Sequence, residues 1–261
     1  FYSAPIILSL TAAYLYVRGE ALPELSGMFW VYASSGGLTQ ILATWCVVAL
    51  FQQRNFAVGI TFKKTEVMQT ALVGLIVLGD KISTTGFLAL VVGLLGVLVL
   101  SQKPGDVDGA WFSKLFNKGA GLGLISGAFF AVSAVGYRGA TLEIASDDPL
   151  MRSSVSLAIV TLGQTAGMAL WLAWREKGEL GRVIEARRTA IWMGITGMAG
   201  SLCWFTAFTL QNAAYVFAVG QVEVIFSLAA SAMFFNEKVT TKELLGISLI
   251  TLSIVYLVTV A

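Results

Sequence analysis

The sequence contains no histidine, which excludes histidine proton relays, the common histidine metal sites and Ser-His or Cys-His catalysis. Cysteine is almost as scarce. Cys46 and Cys203 each sit inside an apolar segment, where a lone thiol packs as a small hydrophobe, and two thiols do not complete a zinc site. Charged residues make up only 12% of the chain, the net formal charge is +2, and the lysines and arginines fall mostly between apolar runs. With no basic stripe, a nucleic-acid partner is not expected. No nucleophile, base and metal set converges, so no catalytic residue, metal or cofactor is expected and the chain reads as a non-enzyme. The opening stretch Phe1 to Leu10 has neither an initiator methionine nor a basic region with a cleavage site, and reads as the start of a truncated or renumbered chain.

What is abundant is apolar surface. At 57% hydrophobic residues and a mean hydropathy of +0.80, the 261 residues have too little polar surface to coat a water-soluble globule. A membrane-spanning helix needs about 20 apolar residues. That length predicts eight full spans and one clipped one, at 1–17, 28–51, 56–79, 83–101, 119–138, 151–174, 189–210, 213–235 and 242–260. Short connections make consecutive spans antiparallel neighbours, because each must satisfy its own backbone groups in lipid. The expected class is therefore all-α, a polytopic membrane helical bundle. The longest polar connections are 102–118 and 175–188. The first sets Trp111, Phe112, Leu115 and Phe116 among Lys114 and Lys118, a pattern that fits either a short interfacial helix or a solvated linker.

The two halves repeat each other at a constant offset of 157 residues without gaps. Apolar coincidences are cheap in a membrane protein, so the weight falls on Asn55 with Asn212, Glu66 with Glu223, and Lys81 with Lys238. Residue 1 corresponds to Ala158, and span 119–138 has no partner in the first half. The expected organisation is a first repeat at 1–101 lacking its first helix, a linker at 102–118 and a second repeat at 119–261. Nine spans are then present of an expected ten. Five spans per unit is an odd number, so the two units insert in opposite senses as inverted repeats, the architecture in which alternating access arises by rocking one repeat against the other.

An ionised side chain at mid-membrane costs about 2.5 to 3.5 kcal/mol even on permissive scales, so it calls for a compensating role. Glu66 and Glu223 lie near the middle of their spans and are paired by the repeat. Lys63 stands one turn before Glu66 on the same face, with Lys64 beside it. Gly59, Lys63, Glu66 and Thr70 continue that face, and Gly220, Glu223, Ser227 and Ser231 form its counterpart. One reading makes these groups a buried ion pair that locks packing, with Glu223 protonated. The other makes them the lining of a solute or proton site, since a desolvated carboxyl can load and release a proton. Gln221, Asn212, Trp204, Tyr14, Gln40 and Gln164 are secondary candidates for contacting a solute. Gly37, Gly194, Gly200 and Ser201 are expected to allow close helix approach as scaffold.

The end of each half carries a further pattern: Val224 through Ser227, then Phe234 to Thr240 (FFNEKVT) and Leu244-Leu245-Gly246 in the second, and Val67 through Gly79-Asp80-Lys81-Ile82-Ser83 with Gly86-Phe87-Leu88 and Gly93 in the first. In these motifs the chain resembles the EamA-type members of the drug/metabolite transporter superfamily over essentially its whole length. The resemblance implies ten helices in inverted repeats and export or exchange of small organic solutes. Many such proteins carry proline near the positions of Val67 and Val224. This chain has only Pro5, Pro23, Pro104 and Pro149, so no proline breaks either helix.

The leading functional expectation is a secondary transporter of a small charged or zwitterionic, amino-acid-like metabolite, with protons as a candidate counter-substrate. The alternatives are an exporter of hydrophobic cations and a non-transporting lipid-handling or structural membrane subunit. Expected partners are the solute, protons and the bilayer, and the expected location is a bacterial inner membrane. The charge bias puts Arg18, Lys81, Arg138 and Arg152 on one side. Eleven basic residues, from Arg54 to Lys242, lie on the other, which the positive-inside rule makes cytoplasmic with the C-terminus outside. The resemblance implies instead that both termini are inside. Oligomeric state has no signature in the sequence.

Overall fold

Every regular element among the described residues is a helix. The computed structural model describes all residues except 54–55, 101–117, 177, 236–239 and 261, and leaves aside the side chains of 56–58, 227, 230–232, 234, 235 and 260. The expected interfacial segment around Trp111 and Phe116 lies outside the described residues. The helices are α1 (Ser3–Arg18), α2 (Gly27–Phe51), α3 (Phe56–Lys63), α4 (Glu66–Val77), α5 (Thr84–Leu100) and α6 (Lys118–Leu142), followed by α7 (Pro149–Arg175), α8 (Glu179–Glu185), α9 (Arg187–Leu210), α10 (Ala213–Gly220), α11 (Val222–Phe235) and α12 (Thr241–Val260). Among them α2, α6, α7, α9 and α12 are each long and apolar enough to cross a membrane unaided. The chain is thus a polytopic helical membrane protein. The connection 175–188, read as a polar loop, holds the short helix α8, which the Tyr2 hydroxyl tethers by donating to the Val183 carbonyl at 2.7 Å.

Two spans expected to be continuous are broken. The stretch 56–79 divides into α3 and α4, and 213–235 divides into α10 and α11. No proline is involved. At the first break the Lys64 N–H is shared between the Ile60 and Thr61 carbonyls, and both the N–H and the hydroxyl of Thr65 turn back to Phe62. At the second, Gln221 N–H bonds Ala218 and Val224 N–H bonds Gln221. These three-residue turns are tighter than α-helix and end one half-helix before the next begins. The charges suit the new termini. Lys63 falls in the last turn of α3, Glu66 in the first turn of α4 and Glu223 in the first turn of α11, the ends where the helix dipole favours each sign.

The helix boundaries keep the offset found in the sequence: α3 and α10 begin at Phe56 and Ala213, α5 and α12 at Thr84 and Thr241, and α1 and α7 end at Arg18 and Arg175. The chain forms two compact units, 1–41 with 133–211 and 42–132 with 212–261.

In the second unit α5 packs against its counterpart α12. A methyl on Gly96 would come within 2.8 Å of the Gly246 carbonyl oxygen, and one on Gly93 within 2.7 Å of Ser253 Oγ, which donates to the Ala89 carbonyl at 2.7 Å. Counting by the offset, Ser253 is the counterpart of Gly96, Gly246 of Ala89 and Ile250 of Gly93. Gly96 meets Gly246 and Ile250 while Ser253 meets Ala89 and Gly93, so each of these contacts has its exchanged partner. Partners run in opposite directions along the two helices, which makes α5 and α12 antiparallel about a pseudo-two-fold axis, as inverted repeats require.

The first unit repeats the pattern. Gly37 on α2 packs on Val160 of α7, and their counterparts Gly194 and Ser3 meet on α9 and α1, where Ser3 Oγ donates to the Gly194 carbonyl at 3.2 Å. Gly194 therefore does admit a close neighbour, a methyl there falling 2.7 Å from Tyr2 Cβ, whereas a methyl on Gly37 would sit at an ordinary 3.6 Å from Val160 and Gln164. Gly200 admits none: a methyl there would meet nothing within 4 Å among the described residues.

Candidate functional site

Four charged residues of the second unit, Lys63, Lys64, Glu66 and Glu223, gather at the break between α3 and α4. Lys63 Nζ lies 2.9 Å from Glu66 Oε2 and 3.0 Å from Oε1, and stands 4.6 Å over the ring of Phe130 on α6. Glu66 is 4% exposed, so its carboxylate is withdrawn from solvent, while Lys63 is half-buried under the aromatic face of Phe130. Lys64 takes the other carboxylate, donating to Glu223 Oε1 at 2.6 Å. The side chain of Lys64 is 12% exposed and that of Glu223 65%.

The duplication places the two glutamates at equivalent positions, but their surroundings differ. Both cations come from one repeat, because the counterparts of Lys63 and Lys64 are Gly220 and Gln221. Glu66 is consequently held within its own repeat and Glu223 across repeats. The remaining candidates of this unit are distributed around the pairs. Thr70 is fully buried, and its hydroxyl is committed to the Glu66 carbonyl at 2.7 Å. Gln221 sits at the second break, where its amide nitrogen donates to the Phe217 carbonyl at 3.3 Å while the buried carboxamide oxygen has no partner. Together with its counterpart Lys64 and with Gly93, Ile250 and Ser253, Gln221 lines a cavity of about 10 Å³. Asn212 caps α10, its Oδ1 accepting from the Ala214 N–H at 2.9 Å, a structural assignment for its side chain. Ser227 falls on α11, and its side chain lies outside the described residues.

Tyr14 and Trp204 belong to the first unit and not to this cluster. The Tyr14 hydroxyl donates to Asp148, the N-cap of α7, whose carboxyl is held below the usual carboxylate range by that bond first, with the Leu150 N–H and the nearby Arg18 adding to it. Trp204 is 38% exposed and lies beside the Phe208 ring at 5.6 Å.

A second polar cluster occupies the first unit. Tyr137 O–H donates to Gln40 Oε1 at 2.6 Å, and Gln164 Nε2 donates to the same oxygen at 2.8 Å and to the Gly37 carbonyl at 3.0 Å. The carboxamide of Gln164 is thereby oriented from its nitrogen end. Gln164 lines two cavities of about 290 Å³ each, one with Thr161, Thr165, Met198 and Ser201, the other with Trp30, Ser34 and Gly37. Ser201 thus lines a cavity, where scaffold packing was expected. Phe130, Tyr137 and Gln69 were missed in the sequence. Gln69 carried a signal, an amide in the middle of an apolar span, and its Nε2 bonds Thr65 Oγ1 at 3.1 Å. Among the described residues no three His, Cys, Asp or Glu side chains gather in a way that could hold a metal ion.

Residues 117–259, just over half the chain, match the EamA-like transporter family. No curated protein matches the sequence. Among the solved structures that match is a crystal structure described only as that of a protein, with a TM-score of 0.68 and 13% identity over 99% of this chain and 85% of that one. At such identity the likeness speaks to the fold alone.

Proposed function

Because the chain belongs to the EamA-like transporter family, we propose that it is a secondary transporter of a small charged or zwitterionic, amino-acid-like metabolite, working by alternating access with protons as counter-substrate. In this reading 1–101 and 119–261 are the two inverted repeats, 102–118 joins them, and the protein resides in a bacterial inner membrane. The observation that carries it is the cross-repeat pair of Lys64 and Glu223, at 2.6 Å, with the lysine largely enclosed and the carboxylate open. An ammonium group of the solute can pair with Glu223 while its carboxylate replaces Glu223 at Lys64, so a zwitterion exchanges with the pair without leaving either charge unpaired. Lys63 and Glu66 supply a buried, internally neutral pair one turn away.

The test is proton-driven uptake of a labelled amino-acid panel into proteoliposomes by the wild type and by the Glu223→Gln and Glu66→Gln, Glu223→Gln variants. The proposal expects uptake of a zwitterion that collapses in both variants. Uptake unchanged in the double variant would remove the glutamates from the mechanism.

A further inference from the structure

We infer that the first unit holds a separate binding site for a small uncharged molecule that presents an N–H or O–H donor, built on Gln164 and the hydroxyls of Thr161, Thr165 and Ser201. Three observations converge on the cavity of about 290 Å³ between α7 and α9. First, many helical threonines elsewhere in the chain spend their hydroxyls on the carbonyl one turn back, as Thr70, Thr196, Thr206, Thr209 and Thr259 do at 2.7 to 2.9 Å. That bond is the ordinary resting place of a hydroxyl in a helix. Thr161, Thr165 and Ser201 form no such bond, nor any other with the described residues, and all three line this cavity.

Second, Gln164 adds an acceptor that cannot rotate away. Its nitrogen is engaged by the Gly37 carbonyl and by Gln40, which Tyr137 holds in turn, while its carboxamide oxygen accepts no hydrogen bond from the described residues. An acceptor fixed from behind and unpaired in front recognises a donor. Third, no ionisable side chain lines the cavity, and Met168 and Met198 supply an apolar wall that adapts to varied shapes. A carboxylate brings no donor to the Gln164 oxygen, whereas a neutral donor with an apolar body satisfies both it and the apolar wall.

This site is independent of the ion pairs, so its test is kept apart from transport. The purified full chain in detergent is titrated with benzamide, N,N-dimethylbenzamide and benzoate, with the thermal midpoint and calorimetric affinity as readouts. Benzamide offers a neutral N–H, the dimethyl compound the same body without it, and benzoate a charge. Benzamide is expected to raise the midpoint and to bind about tenfold or more tightly than either of the others, the discrimination one hydrogen bond provides. Gln164→Leu and, separately, Thr165→Val are expected to abolish the preference, and Glu223→Gln to leave it intact. Equal binding of all three probes, no binding of benzamide to the wild type, or an undiminished preference in whichever of the two cavity variants folds would overturn the inference. Loss of benzamide binding in Glu223→Gln would show that the site is not separate.

Discussion

Lys64 and Glu223, brought together at 2.6 Å, tie the break in one helix to the break in its duplicate, and the duplicate of Lys64 is the uncharged Gln221. The repeat is therefore symmetric in backbone and asymmetric in charge at its centre. Since 65% of the Glu223 side chain is left uncovered by protein, replacing it with the isosteric glutamine removes few packing contacts. Glu223→Gln is predicted to shift the unfolding midpoint by no more than a few degrees while reducing transport at least tenfold. A large loss of stability with transport retained would reverse that assignment.

Lys63 and Glu66 behave oppositely, because Glu66 is buried. Removing either partner strands a charge and is expected to cost about 3 kcal/mol or more. Lys63→Met with Glu66→Met should recover most of that loss, and a double-mutant cycle in chemical denaturation measures the coupling.

The glycines of α5 and α9 make a matched pair of tests. Gly96→Ala would press a methyl to 2.8 Å from the Gly246 carbonyl, a backbone atom that cannot step aside, and is predicted to destabilise by about 2 kcal/mol. Gly200→Ala meets nothing within 4 Å and gains helix propensity, so it should be neutral or stabilising by up to about 1 kcal/mol. Thermal unfolding of the two variants in one detergent decides both.

Asp148 gives the protein an acid-sensitive end. Its folded pKa lies below the ordinary value because Tyr14 donates to the carboxylate. A depressed carboxyl contributes stability that is present above its unfolded pKa and is lost as pH falls through the folded one. The midpoint of the wild type should therefore decline from about pH 4 downward. Asp148→Asn keeps the helix cap and should flatten that part of the profile. An identical slope in the variant would assign the decline to other carboxyls.

Much of this could be read in the sequence, where hydropathy and length predicted the helices and the polar coincidences located the offset that the helix boundaries keep. The three-residue spacing of Lys63 and Glu66 also predicted their contact. The helix breaks were illegible because they depend on backbone bonds tightening by one residue, at Lys64 and Thr65 in the first and at Gln221 and Val224 in the second, with no proline to mark the place. Phe130 and Tyr137 were missed because their roles exist only once α6 lies beside Lys63 and Gln40, contacts that no local spacing encodes. Ser201 was read as scaffold for a related reason. Whether a helical hydroxyl bonds its own backbone or is left to a cavity is decided by the neighbouring helix.

The crossing of α5 with α12 has an ancestral meaning. The contacts of Gly96 there are matched by those of its counterpart Ser253, so this surface is complementary to an upside-down copy of itself. A single unit of this kind needs no second gene to make the crossing. It needs only to insert into the membrane in both directions and meet itself head to tail. Fusing the two orientations into one polypeptide fixes their ratio at one to one and frees the halves to differ, as they do where one carries Lys64 and the other Gln221.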